Sequence, residues 1–123
     1  MYSVEIKETS KELSKIERVK MKDVGNAIKL DSILVDDTPL IITPVAYAVL
    51  KIHNDKATPT DYDNYLIIEE NGSKYVTGSP SFWDSFLNIW TELGDITGEW
   101  SLEIYKKESK NYTGKHFISC SVL

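Results

Sequence analysis

A basic and aromatic segment lies near the end of the chain, at residues 105–115 (Tyr-Lys-Lys-Glu-Ser-Lys-Asn-Tyr-Thr-Gly-Lys), between two strand-like runs. It holds four lysines and two tyrosines. Ammonium groups neutralise phosphates and aromatic rings stack on unpaired bases, which are the two contacts that binding of single-stranded nucleic acid requires. A solvated hairpin, whose lysines discourage pairing between sheet edges, is the alternative.

Each residue type in and beside this segment has a predicted role. The lysines predicted to contact phosphates are Lys106, Lys107, Lys110 and Lys115. The aromatic residues predicted to stack on bases are Tyr105, Tyr112 and Phe117. Because phosphate contacts release counterions, we expect any such binding to weaken as salt is added.

The charge of the chain is unevenly distributed, although its net value of −5 argues against a polyanionic partner. Residues 1–30 carry seven basic and five acidic side chains, residues 31–99 carry three and twelve, and residues 100–123 carry four and two. The two ends therefore each have a net charge of +2 and the middle has −9. Both ends can present basic strips to one partner if the fold brings them together.

Composition predicts one domain of 123 residues, with enough hydrophobic content (41%) to form a core. The sequence has no run of eighteen apolar residues and no apolar signal region at residues 1–7. We therefore expect no membrane partner and a cytoplasmic location. A single cysteine, Cys120, excludes an internal disulfide and a zinc site built from several thiolates.

Residues 9–24 fit either a short helix or a strand. Leu13 and Ile16 have helical spacing, but alternation from Ile16 onward favours a strand with Val19 and Met21 buried. The opposite side of that strand would then present three cations, as a second phosphate strip or as a solvated charged face. These cations are Arg18, Lys20 and Lys22.

Strand signals continue along most of the remaining chain. Asn71-Gly72 predicts a tight turn between strands at residues 62–70 and 73–77. The other predicted strands are residues 27–35, 45–54, 100–106 and 115–123. Alternation in the last two places Leu102, Ile104, Ile118, Cys120 and Val122 inside. Tyr105 and Phe117 then point outward, where a base, the N-terminal segment or another subunit can cover them.

One helix interrupts the strands. Ser79 is placed to cap it, Pro80 to begin it and Gly94 to close it. The apolar residues between them recur at spacings of three and four, which predicts one wide face packed on the core. They are Phe82, Trp83, Phe86, Leu87, Ile89, Trp90 and Leu93.

The order of these elements predicts a mainly β fold, a five-stranded oligonucleotide-binding (OB-like) Greek-key barrel. One helix lies between its third and fourth major strands, and the Asn71-Gly72 hairpin is an addition. Residues 1–123 form the single domain, with 1–26 as an N-terminal extension. Binding in this fold uses the second and third strands with the adjoining loops. Lys51 is therefore a predicted binding residue, with Tyr47 and His53 as candidates beside it.

Several segments resemble small single-stranded DNA-binding proteins of bacteriophages and mobile elements in Gram-positive bacteria. The segments are Tyr65-Leu66-Ile67-Ile68, residues 72–79 (GSKYVTGS), Phe82-Trp83 and residues 109–120 (SKNYTGKHFISC). The resemblance covers about residues 27–123. It implies a role in replication or recombination of phage or mobile-element DNA, with other replication or recombination proteins as partners.

Catalysis has little support in the sequence. His116 and Cys120 are four residues apart on one strand, about 13 Å, which is too far for a nucleophile and its base. Four residues near position 55 lack the spacing of metal ligands. They are His53, Asp55, Asp61 and Asp63. We therefore predict no enzyme activity, no cofactor and no metal.

The prediction that follows is a protein that binds single-stranded DNA without sequence preference. Coating a strand benefits from linked sites, so a dimer or tetramer is expected, with a monomer as the alternative. The rival hypothesis is a small acidic protein-interaction module, such as an inhibitor of a host factor, whose acidic middle binds a basic surface.

Overall fold

Two β-sheets and one long helix make up the fold of the computed structural model, which describes residues 2–34, 38–108 and 116–123. The strands are β1 (Tyr2–Thr9), β2 (Ile28–Lys29), β3 (Leu40–Ile42), β4 (Pro44–Asn54), β5 (Asp61–Glu69), β6 (Lys74–Thr77), β7 (Leu102–Glu108) and β8 (His116–Val122). The helices are α1 (Lys15–Lys22), α2 (Leu30–Ile33) and α3 (Pro80–Leu93), with 3-10 turns at Val24–Asn26 and Gly94–Ile96.

The strands fall into two sheets, so the predicted mainly β fold is confirmed and a closed barrel is not found among the described residues. The large sheet has the order β1-β4-β5-β6-β2, antiparallel except for the β2–β6 pair. The small sheet has the order β3-β7-β8 and is antiparallel. A shared core of side chains joins the two sheets where the barrel prediction required backbone hydrogen bonds.

The β5–β6 hairpin forms where Asn71-Gly72 predicts it. Gly72 has a φ of +92°, a conformation that glycine adopts without steric strain. The Asn71 side chain accepts a hydrogen bond from the Ser73 backbone N–H at 2.9 Å, which closes the turn. The two strands that the turn joins are paired with Ile67 opposite Tyr75.

The β7–β8 pair is also confirmed, with Ile104 opposite Cys120. Leu102, Ile104, Ile118 and Cys120 are buried, as their alternation predicts. The prediction for Val122 is wrong, because its side chain is 44% exposed. Val122 is the last residue of a strand at the margin of the small sheet, where alternation alone does not ensure that the core extends.

The strand predicted from Ile16 onward is a helix, α1. The Ser14 hydroxyl accepts a hydrogen bond from the Glu17 N–H at 3.2 Å, and the Glu17 carboxylate accepts one from the Ser14 N–H at 3.1 Å. This capping box fixes the start of a helix. Met21 is buried as expected, but Val19 is 71% exposed. The lysine and arginine strip predicted on one side of a strand therefore does not form.

The strand predicted at residues 27–35 is also wrong. Within residues 27–34, the part of this range that the structure describes, only Ile28–Lys29 pairs as a strand, and α2 follows it at once. Leu30 and Leu34 are both buried, and the Leu34 N–H donates to the Leu30 carbonyl at 3.3 Å. Two apolar residues four apart favour one helical turn, which brings both onto the core.

Helix α3 begins and ends as predicted. The Ser79 hydroxyl accepts a hydrogen bond from the Phe82 N–H at 3.3 Å, and Pro80 occupies the first turn. Gly94 is the C-cap residue of the helix, and a Cβ there would lie 2.5 Å from the Trp90 indole nitrogen, so glycine fits without a shift of that ring. The Trp100 indole N–H donates to the carbonyl of Leu93, the last helical residue, at 2.9 Å. None of the helices in the described ranges is long and apolar enough to cross a bilayer.

The large sheet is covered on both faces. On one face Tyr47, Val49 and Ile67 join α3 residues in a core that includes the inner face of the small sheet. On the other face Leu50 and Leu66 pack with Met21 of α1 in a second core. Helices α1 and α3 therefore lie on opposite faces of the large sheet.

Candidate nucleic-acid interface

One face of the small sheet points away from the core, because side chains alternate along β7 and β8. Cross-strand pairing places Ile41 opposite Glu103, Tyr105 opposite Ser119, and Lys107 opposite Phe117. We call this surface the outer face. Its members are Ile41, Glu103, Tyr105, Lys107, Phe117, Ser119 and Ser121.

The outer face exposes apolar and aromatic side chains to solvent. Phe117 is 41% exposed and Ile41 is 51% exposed, while Tyr105 is half-buried. The predicted outward orientation of Tyr105 and Phe117 is consistent with this arrangement. Apolar side chains on a face that is not packed on the core remain available to a ligand or a partner.

Tyr105 is held in place by a hydrogen bond along the outer face. Its hydroxyl lies 2.9 Å from the Ser121 hydroxyl on the neighbouring strand. The bond restricts the ring before any ligand arrives, so less rotamer entropy is lost when a base stacks on it. Tyr105 is therefore an organised part of the surface.

Lys107 and Phe117 form the centre of the candidate interface. They are direct cross-strand partners, and both side chains are exposed. Side chains at such positions have Cβ atoms about 4.5–5.5 Å apart. An ammonium group and an aromatic ring can therefore contact the phosphate and the base of one nucleotide.

Lys106 does not share the outer face. It pairs with Ile118, so its side chain leaves the opposite side of β7. It borders a recess that Asp31, Ser79, Phe117 and Ile118 also line. The sequence prediction grouped Lys106 with Lys107, but neighbouring residues of a strand point to opposite sides.

Three further predicted binding residues lie outside the described residues. They are Lys110, Tyr112 and Lys115. Their assignment to phosphates and bases stays a prediction.

Lys51 belongs to the other sheet and is not brought together with the outer face. It lies on β4, exposed, with Glu5 and Asp63 as its cross-strand partners. Opposite charges directly across a strand pair attract one another. Lys51 therefore has an acidic residue opposite it on each neighbouring strand, which lowers its value for binding phosphate.

Tyr47 is a core residue, so its prediction as a surface candidate is wrong. Its ring contacts Trp83, Phe86 and Trp90 edge-on, at centroid distances of 5.3, 6.0 and 5.4 Å. The hydroxyl donates to Glu8 at 3.4 Å, and burial followed by this carboxylate raises the pKa of Tyr47. A ring enclosed in this way cannot stack on a base.

His53 lies between two carboxylates at the end of the large sheet. Its Nδ1 is 2.9 Å from Asp61 Oδ1 and its Nε2 is 2.6 Å from Asp55 Oδ1. Hydrogen bonds to Asp61 and then Asp55 raise the pKa of His53, and the bond to His53 lowers the pKa of Asp61. Both ring nitrogens are engaged, and no group of residues in the described ranges is arranged to hold a metal ion.

Cys120 is a buried part of the shared core. Burial raises the pKa of its thiol to about 12. The thiol is therefore protonated at neutral pH and lacks the thiolate character of a nucleophile. It packs as a small apolar side chain, as the sequence suggests.

Sequence reasoning missed Ile41 and Ser121. The sequence analysis predicts no strand at Leu40–Ile42, yet this run forms β3 and pairs with β7. Its signal was present, as three aliphatic residues between Pro39 and Pro44. Ser121 carries no comparable signal, because its role depends on the position of the Tyr105 hydroxyl on another strand.

No family model, no curated protein and no solved structure matches this chain. The resemblance to single-stranded DNA-binding proteins of phages and mobile elements therefore stays a prediction.

Proposed function

We propose that this chain binds single-stranded DNA without sequence preference, through the outer face of the small sheet, and that it is not an enzyme. The observation that carries the proposal is the exposed cross-strand pair of Lys107 and Phe117, with the anchored ring of Tyr105 on the same face. Stacking on an aromatic ring contributes about 1–3 kcal/mol per base and tolerates every base.

An OB-like fold belongs to this proposal. It is supported by the position of α3, which stands in the chain between the β5–β6 hairpin and the β7–β8 pair. A cytoplasmic role in phage or mobile-element replication or recombination, with other proteins of those processes as partners, is part of the same hypothesis.

Phosphate contacts are assigned to Lys107 and, in the same part of the sequence, to Lys106, Lys110 and Lys115. Each phosphate neutralised on a single strand contributes about 0.7 to the slope of log K against log salt. Because these contacts release counterions, we expect affinity to decrease as salt is added.

The experiment is a titration of end-labelled oligothymidine, about 30 nucleotides long, followed by fluorescence anisotropy. Replacing Phe117 by Ala should weaken binding about 5- to 150-fold, which corresponds to one stacked base. Tyr2→Ala is the matched control, since Tyr2 is an exposed aromatic residue on the large sheet. It should leave the affinity unchanged, and thermal unfolding should verify that both variants fold.

Unchanged affinity after replacing both Tyr105 and Phe117 would remove the outer face from consideration. Competition between DNA and RNA oligomers of matched sequence then identifies the preferred strand, because only RNA offers a 2′-hydroxyl.

A second candidate function is protein binding, as a small acidic interaction module or an inhibitor of a host factor. The exposed aliphatic side chain of Ile41 favours it, because an aliphatic group cannot stack on a base but gains free energy when a protein buries it. Ile41→Ser separates the two functions. It should leave oligothymidine affinity within about twofold if DNA is the ligand, and weaken a protein complex by about 1.5–3 kcal/mol.

A further inference from the structure

Helix α1 presents two aliphatic side chains to solvent. Ile16 is 70% exposed and Val19 is 71% exposed, whereas Met21 is the residue that α1 buries. Residues three apart are neighbours on a helix surface, so Ile16 and Val19 form one small apolar patch. The patch borders the edge of the large sheet, because Val19 lines a recess with Glu5 and Ile6 of β1.

Cations surround this patch. Helix α1 carries four basic residues and one acidic residue, a net charge of +3, and all five are exposed. The basic residues are Lys15, Arg18, Lys20 and Lys22. We call Ile16, Val19 and these cations the α1 face. An apolar centre with a charged rim is the usual anatomy of a protein interface.

The end of α3 offers the complementary surface. Glu92, Asp95 and Ile96 recur at helical spacing across the helix end and the 3-10 turn, and Ile96 is 41% exposed. The Glu99 N–H donates to the Ile96 carbonyl at 3.1 Å, which brings a third carboxylate residue to the same place. We call these four residues the α3 end. All four are exposed.

The α1 face and the α3 end lie on opposite sides of one molecule. Helix α1 packs on the face of the large sheet that carries Leu50, and α3 packs on the face that carries Val49. Two copies therefore do not form both contacts with each other in one dimer. A contact between two different surfaces that does not close into a ring adds one copy after another.

We infer that the α1 face of one copy binds the α3 end of the next copy, which gives a head-to-tail row. Ile96 contacts the patch of Ile16 and Val19, and the carboxylates meet the cations around it. The inference is independent of DNA binding. The row is weak and salt-sensitive, because the apolar patch is small and exposed charges are screened.

A second copy fits the α1 face better than two other occupants. Nucleic acid would find cations there, but Ile16 and Val19 offer no aromatic surface for a base. A membrane would find eight helical residues with two exposed aliphatic side chains, which is a small apolar area for insertion. The acidic and apolar α3 end matches both features of the α1 face.

The experiment is sedimentation velocity of the full chain without DNA, from about 10 to 500 µM, in low and high salt. The expected result is an average mass that keeps rising with concentration at low salt and falls at high salt. A stable monomer throughout this range would overturn the inference. A mass that stops at the dimer would overturn the head-to-tail arrangement.

Charge reversal identifies the surfaces. Lys15→Glu with Arg18→Glu should weaken association about tenfold or more, and so should Glu92→Lys with Asp95→Lys. Both pairs of changes place charges that interact favourably with the helix dipole, acidic residues early in α1 and basic residues late in α3. We therefore expect both variants to stay folded. An equimolar mixture of the two variants should associate again, and so should one chain with all four changes.

Failure of the mixture to associate would overturn the assignment of these surfaces. Oligothymidine and vesicles rich in anionic lipid are the competing probes. If the Lys15→Glu, Arg18→Glu variant loses binding to either probe while the unaltered protein sediments as a monomer, the α1 face binds nucleic acid or membrane and the inference is wrong.

Discussion

The large sheet and the small sheet differ in how many of their faces are covered. The large sheet has a helix and a hydrophobic core on each face, whereas among the residues that the structure describes the small sheet packs only its inner face. Tyr47 and Tyr105 illustrate the result. Both sit on strands, yet one is enclosed by three aromatic rings and the other lies on an open face.

The two sheets therefore differ in which side chains are free to change without loss of stability. A side chain between a sheet and a helix serves the stability of the protein, and its replacement leaves a cavity. A side chain on the outer face of the small sheet contributes little to folding, so its type can be chosen for binding. Aromatic residues at Tyr105 and Phe117 are therefore informative about function.

Replacing a buried phenylalanine and an exposed one should change the free energy of unfolding by very different amounts. Phe86 is fully buried and Phe117 is 41% exposed. We expect Phe86→Ala to lower the free energy of unfolding by about 3–5 kcal/mol, because it opens a cavity beneath α3. We expect Phe117→Ala to lower it by less than about 1 kcal/mol. Urea unfolding measures both, and similar losses would show that the outer face is part of the core.

Helix α1 covers one face of the large sheet, and the capping box at its start should stabilise the fold to a smaller extent. Removing the capping hydroxyl with Ser14→Ala should lower the free energy of unfolding by about 1 kcal/mol. Ser3→Ala on the exposed part of β1 is the control and should change it by less than about 0.5 kcal/mol. Equal values in thermal or urea unfolding would mean that the capping box does not stabilise α1.

The third prediction compares a lysine from each sheet. Lys107→Gln should reduce the salt slope of oligothymidine binding by about 0.7, the contribution of one phosphate on a single strand. Lys51→Gln should leave the slope unchanged, because Lys51 lies between Glu5 and Asp63 on the large sheet. A reduced slope with Lys51→Gln would extend the interface to the large sheet.

The smallest effect concerns the exposed end of the large sheet at His53. Its pKa is raised above the unfolded value of about 6.5, so the protonated ring stabilises the folded state. This contribution is fully present below the unfolded pKa and is lost as pH rises through the folded pKa. The stability difference between the unaltered protein and His53→Gln should therefore shrink over that interval. Urea unfolding at several pH values checks it, and a difference that grows with pH contradicts it.

The sequence predicted the turn and the helix boundaries that depend on neighbouring residues. The Asn71-Gly72 turn and the Ser79, Pro80 and Gly94 boundaries of α3 depend on residues close together in the sequence. Alternation in β7 and β8 predicted which side chains are buried, except for Val122 at the end of its strand.

Predictions are wrong where two local signals conflict, or where the structure depends on distant residues. Alternation after Ile16 favours a strand, but the capping box of Ser14 and Glu17 starts a helix there. Pairing of β3 with β7 and the enclosure of Tyr47 by α3 bring together residues far apart in the chain. The periodicity of a single segment contains no information about such contacts.

All three tryptophans lie in or against the core between the two sheets. Trp83 and Trp100 are buried and Trp90 packs against the same core, so their emission reports the interior between the sheets. Tyr105 and Phe117 instead lie on the outer face. A ligand on that face should therefore leave the indole emission unchanged, whereas unfolding shifts it, so the tryptophans can verify the integrity of the fold while ligand is present.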